Sequence, residues 1–395
     1  MTGERPDKPV RLLVLGAGLQ GSAAAFDLLR SHAASVTLAD SAPEQIAGFL
    51  SPFRGRRLAV LKVDARDERN LRDVMRGHDA ILCALPYYFN DEVSRIGLDL
   101  GIHVADLGGN TEIVRRQEAL DDAARRRGVS IMPDCGLAPG MANILAAEGM
   151  RRLDQTDSVR LYVGGLPQQP EPPLNYTVVY SLEGVLDYYT TPSWVLRRGA
   201  PAQVEALSDV ERVPFPAPVG ELEAFHTAGG ISTMPWRFAG CVQSMEYKTL
   251  RYPGHAVIMR AVRDLGLLAT QPVDVKGTPV VPRDAFMAVV SPRLRKPNAR
   301  DLVALRVEVA GSKDGKPKRV TFLLLDYYDV EHGISAMMRA TGYSLAITGM
   351  MQAEGQIPPG AKPAYEVMPF GSYVAELRKR GIEVREVEDA TPPVS

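Results

Sequence analysis

Residues 10–21 read Val-Arg-Leu-Leu-Val-Leu-Gly-Ala-Gly-Leu-Gln-Gly, an apolar run of strand length that ends in glycines at positions 16, 18 and 21. The spacing has a mechanical reason. Gly16 permits a tight turn, Gly18 lets the backbone approach a pyrophosphate, and Gly21 lets the next helix pack closely on the strand. That helix offers free N–H groups and the positive end of its dipole to phosphates. A Gly-x-Gly-x-x-Gly string alone is weak evidence. Here it follows a predicted strand, opens a helix predicted over residues 18–31, and precedes Asp40 at the end of a second predicted strand, residues 35–39. The turn therefore reads as a dinucleotide site, with Gly16, Gly18, Leu19, Gln20 and Gly21 at the phosphates. A carboxylate at Asp40 accepts hydrogen bonds from ribose hydroxyls and repels a 2′-phosphate, so NAD is the expected cofactor.

Working outward, apolar runs at residues 58–63, 80–85, 103–107 and 129–132 alternate with polar helical stretches such as 67–76 and 111–127. Near-continuous apolar strands separated by helices describe a parallel sheet covered on both faces. Residues 1–140 are thus expected to form an α/β, doubly wound Rossmann domain. Ligands of such sheets lie beyond the carboxyl ends of the strands. That rule adds Asp64 at the adenine edge, Ala84, Leu85 and Pro86 at the nicotinamide ribose, and Asp106 after the fifth strand.

The texture changes after Met141. Residues 143–150 look helical, 159–163 extended, and 164–173 form a loop dense in Gly and Pro. Runs at 302–310 and 319–328 flank a polar turn at 311–315, the signal of a hairpin. Residues 141–330 therefore read as a second, α+β domain with a mostly antiparallel sheet, serving substrate binding and oligomerisation. Residues 334–353 predict one long Met-rich buried helix, 373–380 another helix, and 383–387 an extended piece. The segment 331–395 is expected to pack back on the first domain.

Composition narrows the function. The 395 residues carry 46 Lys plus Arg against 47 Asp plus Glu, a formal charge of −1, and are 45% hydrophobic. That length suits two cores. The balanced charge argues against nucleic acid or an acidic membrane as partner. No apolar run reaches the roughly 18 residues that span a bilayer, and the first residues lack the apolar segment of a secretory signal, so a cytoplasmic location is expected. Cys83, Cys135 and Cys241 are too few and too scattered for a disulfide framework or zinc ribbon, and no His-Glu-x-x-His pair is present, so no metal is expected. Cys135, with nothing nearby to lower its pKa, reads as a small apolar filler.

Chemistry-bearing residues concentrate between positions 171 and 255. Together with Leu15-Gly16-Ala17-Gly18, Ala105-Asp106-Leu107-Gly108-Gly109, Ala138-Pro139-Gly140-Met141, Tyr162-Val163-Gly164-Gly165 and Pro170-Glu171-Pro172-Pro173-Leu174, the segments around Ser181 and Phe225 resemble the saccharopine dehydrogenase-like family, most closely its lysine 6-dehydrogenase branch. The resemblance covers about residues 10–260. It implies NAD-dependent oxidation of the ε-carbon of L-lysine, with release of ammonia. The aldehyde product, 2-aminoadipate 6-semialdehyde, would close to 1-piperideine-6-carboxylate. Saccharopine-forming relatives tend to have a basic residue where this chain has Glu183. An acid there suits an amine, whereas a base suits a second carboxylate.

Hydride leaves the ε-carbon only if the neighbouring nitrogen has a free lone pair. An amine of pKa near 10.4 costs about 5 kcal/mol to neutralise at pH 7, which calls for desolvation and a general base. His226, in a Gly-rich and turn-like segment, is the first candidate; Asp106 and Glu171 are alternatives. Arg251 or Lys248 would hold the α-carboxylate, and Tyr87 and Tyr176 would close around the aliphatic chain. A homo-oligomer is expected. Two other readings stand beside this one: a saccharopine or carboxynorspermidine dehydrogenase, and a non-catalytic NAD-responsive binding protein.

Overall fold

The computed structural model describes residues 10–30, 34–178, 181–296 and 299–387, so Ser31, the expected end of the first helix, lies outside the described residues. The described residues divide into two compact units: those within 10–144, 331–334 and 338–382 build the first, and those within 145–330, 335–337 and 383–387 the second.

In the first unit, β1 (Val10–Leu15), β2 (Ala34–Asp40), β3 (Leu58–Lys62), β4 (Ala80–Cys83), β5 (His103–Asp106) and β6 (Ser130–Met132) pair in parallel in the order β6-β5-β4-β1-β2-β3. Leu12 to Leu15 have no exposed surface, as a strand sandwiched between helical layers requires. The intervening helices are α1 (Leu19–Arg30), α2 (Glu68–Met75), α3 (Asn90–Leu100), α4 (Thr111–Glu118) and α5 (Asp121–Arg127). Asp67 caps α2 by accepting from the N–H groups of Arg69 and Asn70, and Asn110 caps α4 in the same way. The single helix expected over 111–127 is thus two. Asp121 starts the second of them and spends its carboxylate on the Ala361 N–H at 2.9 Å and on Lys362 at 3.4 Å.

The second unit contains α6 (Met141–Arg151) from residue 145 on, then β7 (Gln155–Pro167), α7 (Leu182–Thr190), β8 (Ser193–Arg197), β9 (Ala200–Val204), β10 (Glu211–Pro214), β11 (Glu221–His226), α8 (Met234–Arg237), β12 (Ser244–Arg251), α9 (His255–Asp264), the small hairpin β13 (Val273–Val275) and β14 (Thr278–Val280), α10 (Pro282–Leu294), β15 (Asp301–Lys313) and β16 (Lys316–Tyr327). Its main sheet runs β10-β11-β12-β7-β15-β16, with β8 on β12 and β9 on β8. Only β12 and β7 pair in parallel, so the sheet is mixed and mostly antiparallel. The β15–β16 hairpin turns at Asp314-Gly315 alone, with φ of +52° and +70°. This tight Asp-Gly turn displaces the broader one expected at 311–315. Gly311 instead marks a register shift against β7, where a Cβ would lie 1.9 Å from the Gln155 carbonyl oxygen.

The helix expected over 334–353 is interrupted: α11 (Ala336–Met338) leads into a π-turn, Arg339–Tyr343, and then α12 (Ser344–Ala353), every residue of which is buried. The Gln352 side-chain amide donates to the carbonyls of Val104 and Ser130 at 2.9 and 3.1 Å. β17 (Gly360–Ala361) adds a seventh strand beside β6, and α13 (Ala364–Val367) and α14 (Phe370–Lys379) follow. β18 (Arg385–Val387) departs from the expected path. It pairs with β16 in the second sheet, and Glu386 meets Arg152 at 2.7 Å, so this end of the 331–395 segment joins the second unit rather than the first.

Candidate active site

Two of the three glycines in the first turn are demanded by the chain itself. Gly16 has φ of +95° and a Cβ on it would stand 2.9 Å from the Ala84 carbonyl oxygen; one on Gly21 would stand 1.9 Å from that of Gly16. A Cβ on Gly18 would meet nothing within 4 Å, which leaves that side open to a ligand. Asp40 closes the turn: one carboxylate oxygen accepts from the Ala17 N–H at 2.6 Å and the other from the Ala42 N–H at 2.9 Å. A cavity of about 520 Å³ opens here, lined among others by Ala17, Gly18, Leu19, Asp40, Gln45, Phe49 and, from the C-terminal segment, Gly333 and Met338. Among the described residues no Lys or Arg lines it. The Gln20 side-chain oxygen is buried without a hydrogen-bond partner among the described residues. Open space over Gly18, a helix N-terminus at the turn, a carboxylate at the end of β2 and an unsatisfied acceptor oxygen on Gln20 fit the phosphates and hydroxyl donors of a pyridine dinucleotide.

The other expected cofactor contacts divide. Ala84 donates its N–H to the Leu15 carbonyl at 2.8 Å and sets its own carbonyl against Gly16. Leu85 packs on the core beneath, and Pro86 precedes the short turn Tyr87–Phe89, where Tyr87 is 45% exposed. Asp64 does not line the cavity. Its exposed carboxylate is taken up by Arg66 at 2.9 Å, which also holds its pKa below the usual value.

Asp106, at the carboxyl end of β5, has no exposed surface. One oxygen accepts from the Asn90 amide at 2.9 Å and the Gly108 N–H at 2.7 Å; the other accepts from the Gln117 amide at 2.6 Å. Burial outweighs these donors and pushes its pKa up to about 6. Cys135 beside it donates to the Met132 carbonyl at 3.2 Å, and burial holds the thiol well above its ordinary pKa, so it stays protonated. Neither Asn90 nor Gln117 was singled out from sequence. Each sits on a helix among polar neighbours, and nothing in the spacing marks it as facing inward.

In the second unit the strand period separates residues that the sequence had grouped. Register pairs His226 with Lys248 and Glu223 with Arg251 across β11 and β12, which puts His226 and Lys248 on one face and Arg251 on the other. His226 is the last residue of β11, not part of a turn as expected, and its side chain has no exposed surface. Its Nε2 lies 3.3 Å from Asp209 and 3.7 Å from Glu246, and Arg197 reaches Glu246 at 2.9 Å. Burial holds the imidazole pKa below its ordinary value, against the opposing pull of Glu246 and Asp209. The Lys248 ammonium is spent on Glu211 at 2.6 Å and on the Asp209 carbonyl at 2.8 Å. Both residues belong to an internal charge network.

On the opposite face Arg251 is 3% exposed, with its guanidinium 4.7 Å over the ring of buried Tyr176 and one NH donating to the Leu250 carbonyl at 2.8 Å. His255 supports this corner. Its Nδ1 lies 3.1 Å from the Leu174 carbonyl, which only accepts, so Nδ1 carries the proton and Nε2 accepts from the Tyr189 hydroxyl at 2.9 Å. Burial lowers its pKa to about 3 and keeps it neutral. Glu171 is exposed and ion-paired with Lys296. Glu183 is exposed in the first turn of α7, which Ser181 caps by accepting from the Gly184 N–H at 3.2 Å. Among the described residues no group of three or more His, Cys, Asp or Glu is arranged to hold a metal ion, and no helix is long and apolar enough to cross a membrane.

Comparison with known proteins finds two family models on this chain: "Saccharopine dehydrogenase NADP binding domain" over residues 12–132 and "Saccharopine dehydrogenase C-terminal domain" over residues 136–382. The chain belongs to the saccharopine dehydrogenase family. It is 23% identical over 269 residues to the mitochondrial alpha-aminoadipic semialdehyde synthase of Mus musculus, a match that covers 65% of this chain and 28% of the mouse protein. It is 20% identical over 318 residues to the saccharopine dehydrogenase [NADP(+), L-glutamate-forming] of Saccharomyces cerevisiae, covering 78% of this chain and 69% of the yeast one. The solved apo structure of the L-Glu-forming saccharopine dehydrogenase from Saccharomyces cerevisiae shares the fold, with a TM-score of 0.79 at 20% identity over 96% of this chain and 99% of that one. Homospermidine synthase from Legionella pneumophila, solved with NAD, follows at a TM-score of 0.67 and 10% identity, covering 97% of this chain and 93% of that one. The saccharopine dehydrogenase fold therefore agrees with the α/β-plus-antiparallel architecture expected from sequence.

Proposed function

We propose that this family member oxidises the ε-carbon of L-lysine with NAD, giving 2-aminoadipate 6-semialdehyde, which cyclises to 1-piperideine-6-carboxylate, and ammonia. The observation that carries the choice of substrate is Glu183, an exposed acid in the first turn of α7. A carboxylate there attracts an amine and repels the second carboxylate of a saccharopine-type substrate. The dinucleotide, when bound, accepts the hydride that the ε-carbon gives up. The resulting iminium takes water and releases ammonium and the aldehyde, so atoms and charge balance. Asp106 is the proposed proton acceptor in place of His226. Its carboxyl is ionised at neutral pH yet basic for an aspartate, and it stands at the carboxyl edge of the same sheet as the dinucleotide turn.

NAD rather than NADP is supported by Asp40 and by a cavity that no Lys or Arg among the described residues lines. The names of the relatives favour a second reading, glutamate-forming saccharopine oxidation with NADP. Incubating the purified chain with lysine, ornithine or saccharopine and either nucleotide, while following reduced nucleotide and ammonia, separates the two. Lysine with NAD should yield both products. Turnover of saccharopine without turnover of lysine overturns the proposal. Asp40→Asn should lower the NAD-to-NADP ratio of kcat/KM about tenfold, and an unchanged ratio would show that this carboxylate does not read the ribose.

A further inference from the structure

A second cavity, of about 440 Å³, lies wholly in the second unit at the end of β7. Two chain segments are zipped together there: the Gln168 N–H donates to the Arg300 carbonyl at 2.9 Å, and the Gln168 side chain donates to the Asp301 carbonyl at 2.8 Å. Gln168, Gln169, Glu171, Thr177, Lys296 and Arg300 are among the residues that line it. Its size suits a small molecule, but the lining is polar and charged rather than apolar. Glu171 and Lys296 form an ion pair across it. The guanidinium of Arg300 makes no hydrogen bond or ion pair with the described residues. An available planar donor, a second cation and one carboxylate in a single cleft match the α-carboxylate and α-ammonium of an amino acid.

We infer that this cleft binds the α-amino-acid end of the substrate, an inference that rests on the lysine reading above. Arg300 would take the α-carboxylate through paired N–H bonds, with Lys296 as a second donor. Glu171 has lone pairs enough to keep Lys296 and also accept the α-ammonium. This role leaves Glu171 as a binding group rather than a base. It also fills the gap left by Lys248 and Arg251, whose charged ends are engaged inside the protein.

Three probes separate the contacts. L-Lysine carries both α-groups, 1,5-diaminopentane lacks the carboxylate, and 6-aminohexanoate lacks the α-ammonium. Arg300→Gln should raise KM for lysine by about tenfold or more, since a hydrogen bond to a charged partner contributes on that scale. The same variant should lower the lysine-to-diaminopentane ratio of kcat/KM by a similar factor. Glu171→Gln should instead lower the lysine-to-aminohexanoate ratio. If both variants keep the wild-type ratios, the cleft is not the amino-acid subsite. Calorimetric titration of the full chain with L-lysine tests the cleft without turnover. Heat that is lost in Arg300→Gln upholds the cleft even if lysine is never oxidised, whereas heat retained in that variant overturns it whatever the activity.

Discussion

Asp106 carries a structural load that depends on its state of protonation. Its folded pKa of about 6 stands above the ordinary 3.8, so the fold prefers it protonated. The stability this contributes is complete below about pH 3.8 and is lost as pH rises through about 6, a change of about 3 kcal/mol between the limits. In Asp106→Asn that dependence disappears. The Gln117 amide can rotate to accept from the new amide while Asn90 and Gly108 keep their acceptor, so the variant should still fold. Urea unfolding at pH 4, 5, 6 and 7 should show the difference in stability between wild type and variant shrinking or reversing as pH rises. A difference that stays constant over that range would mean the carboxyl titrates alike in the folded and unfolded chain. Residues of this kind were only half legible beforehand. Strand-end logic located Asp106, but its pKa depends on Asn90 and Gln117, which come from elements whose inward faces carry no sequence mark. Arg300 was likewise hidden in a run rich in arginine, where solvated charge is the ordinary reading.

At the scale of elements, period and turn chemistry made most of the first unit readable, because buried parallel strands are apolar throughout and the glycine spacing leaves few alternatives. The readings that failed did so for local reasons. A helix of period 3.6 looks the same in sequence whether or not one turn is widened, so the π-turn at Arg339–Tyr343 was invisible. His226 was read from the glycines after it rather than from the alternation before it, and that alternation places it across the sheet from Arg251. The π-turn also bears on the nucleotide site. A Cβ on Gly342 would lie 2.7 Å from the Gln20 carbonyl oxygen, 2.7 Å from the Ala23 Cβ and 3.0 Å from the Ala24 nitrogen, all in the first turns of α1. Replacing a helical glycine with alanine ordinarily stabilises by about 1 kcal/mol. Here backbone atoms must move, and overpacking of that kind costs about 1–3 kcal/mol, so the sign reverses. Gly342→Ala should lower the melting temperature and raise KM for NAD several-fold with little change in kcat. An unaltered KM would show that α1 does not shift at its phosphate-binding end.

For the whole molecule, the order of the chain conceals which residues fold together. The first sheet is completed by residues more than two hundred positions away from its sixth strand, through β17 beside β6 and α12 packed on β4 and β5. Burial of Leu345, Ile347, Met350 and Met351 in α12 contributes about 1.5–3 kcal/mol each, roughly 6–12 kcal/mol together. That is as large as the net stability of an ordinary domain, about 5–15 kcal/mol. Loss of α12 also strands the Val104 and Ser130 carbonyls that Gln352 satisfies. A chain ending at Val330 should therefore have no cooperative melt of its first unit and no NADH binding, although every residue of the glycine-rich turn is present. A chain ending at Ile382 loses only β18 from the second sheet, keeps the whole of the first unit, and should bind NADH. Fluorescence titration with NADH and thermal melting of both truncated chains give the measurement. Tight binding by the shorter chain would show that the C-terminal segment decorates the dinucleotide unit rather than completing its core.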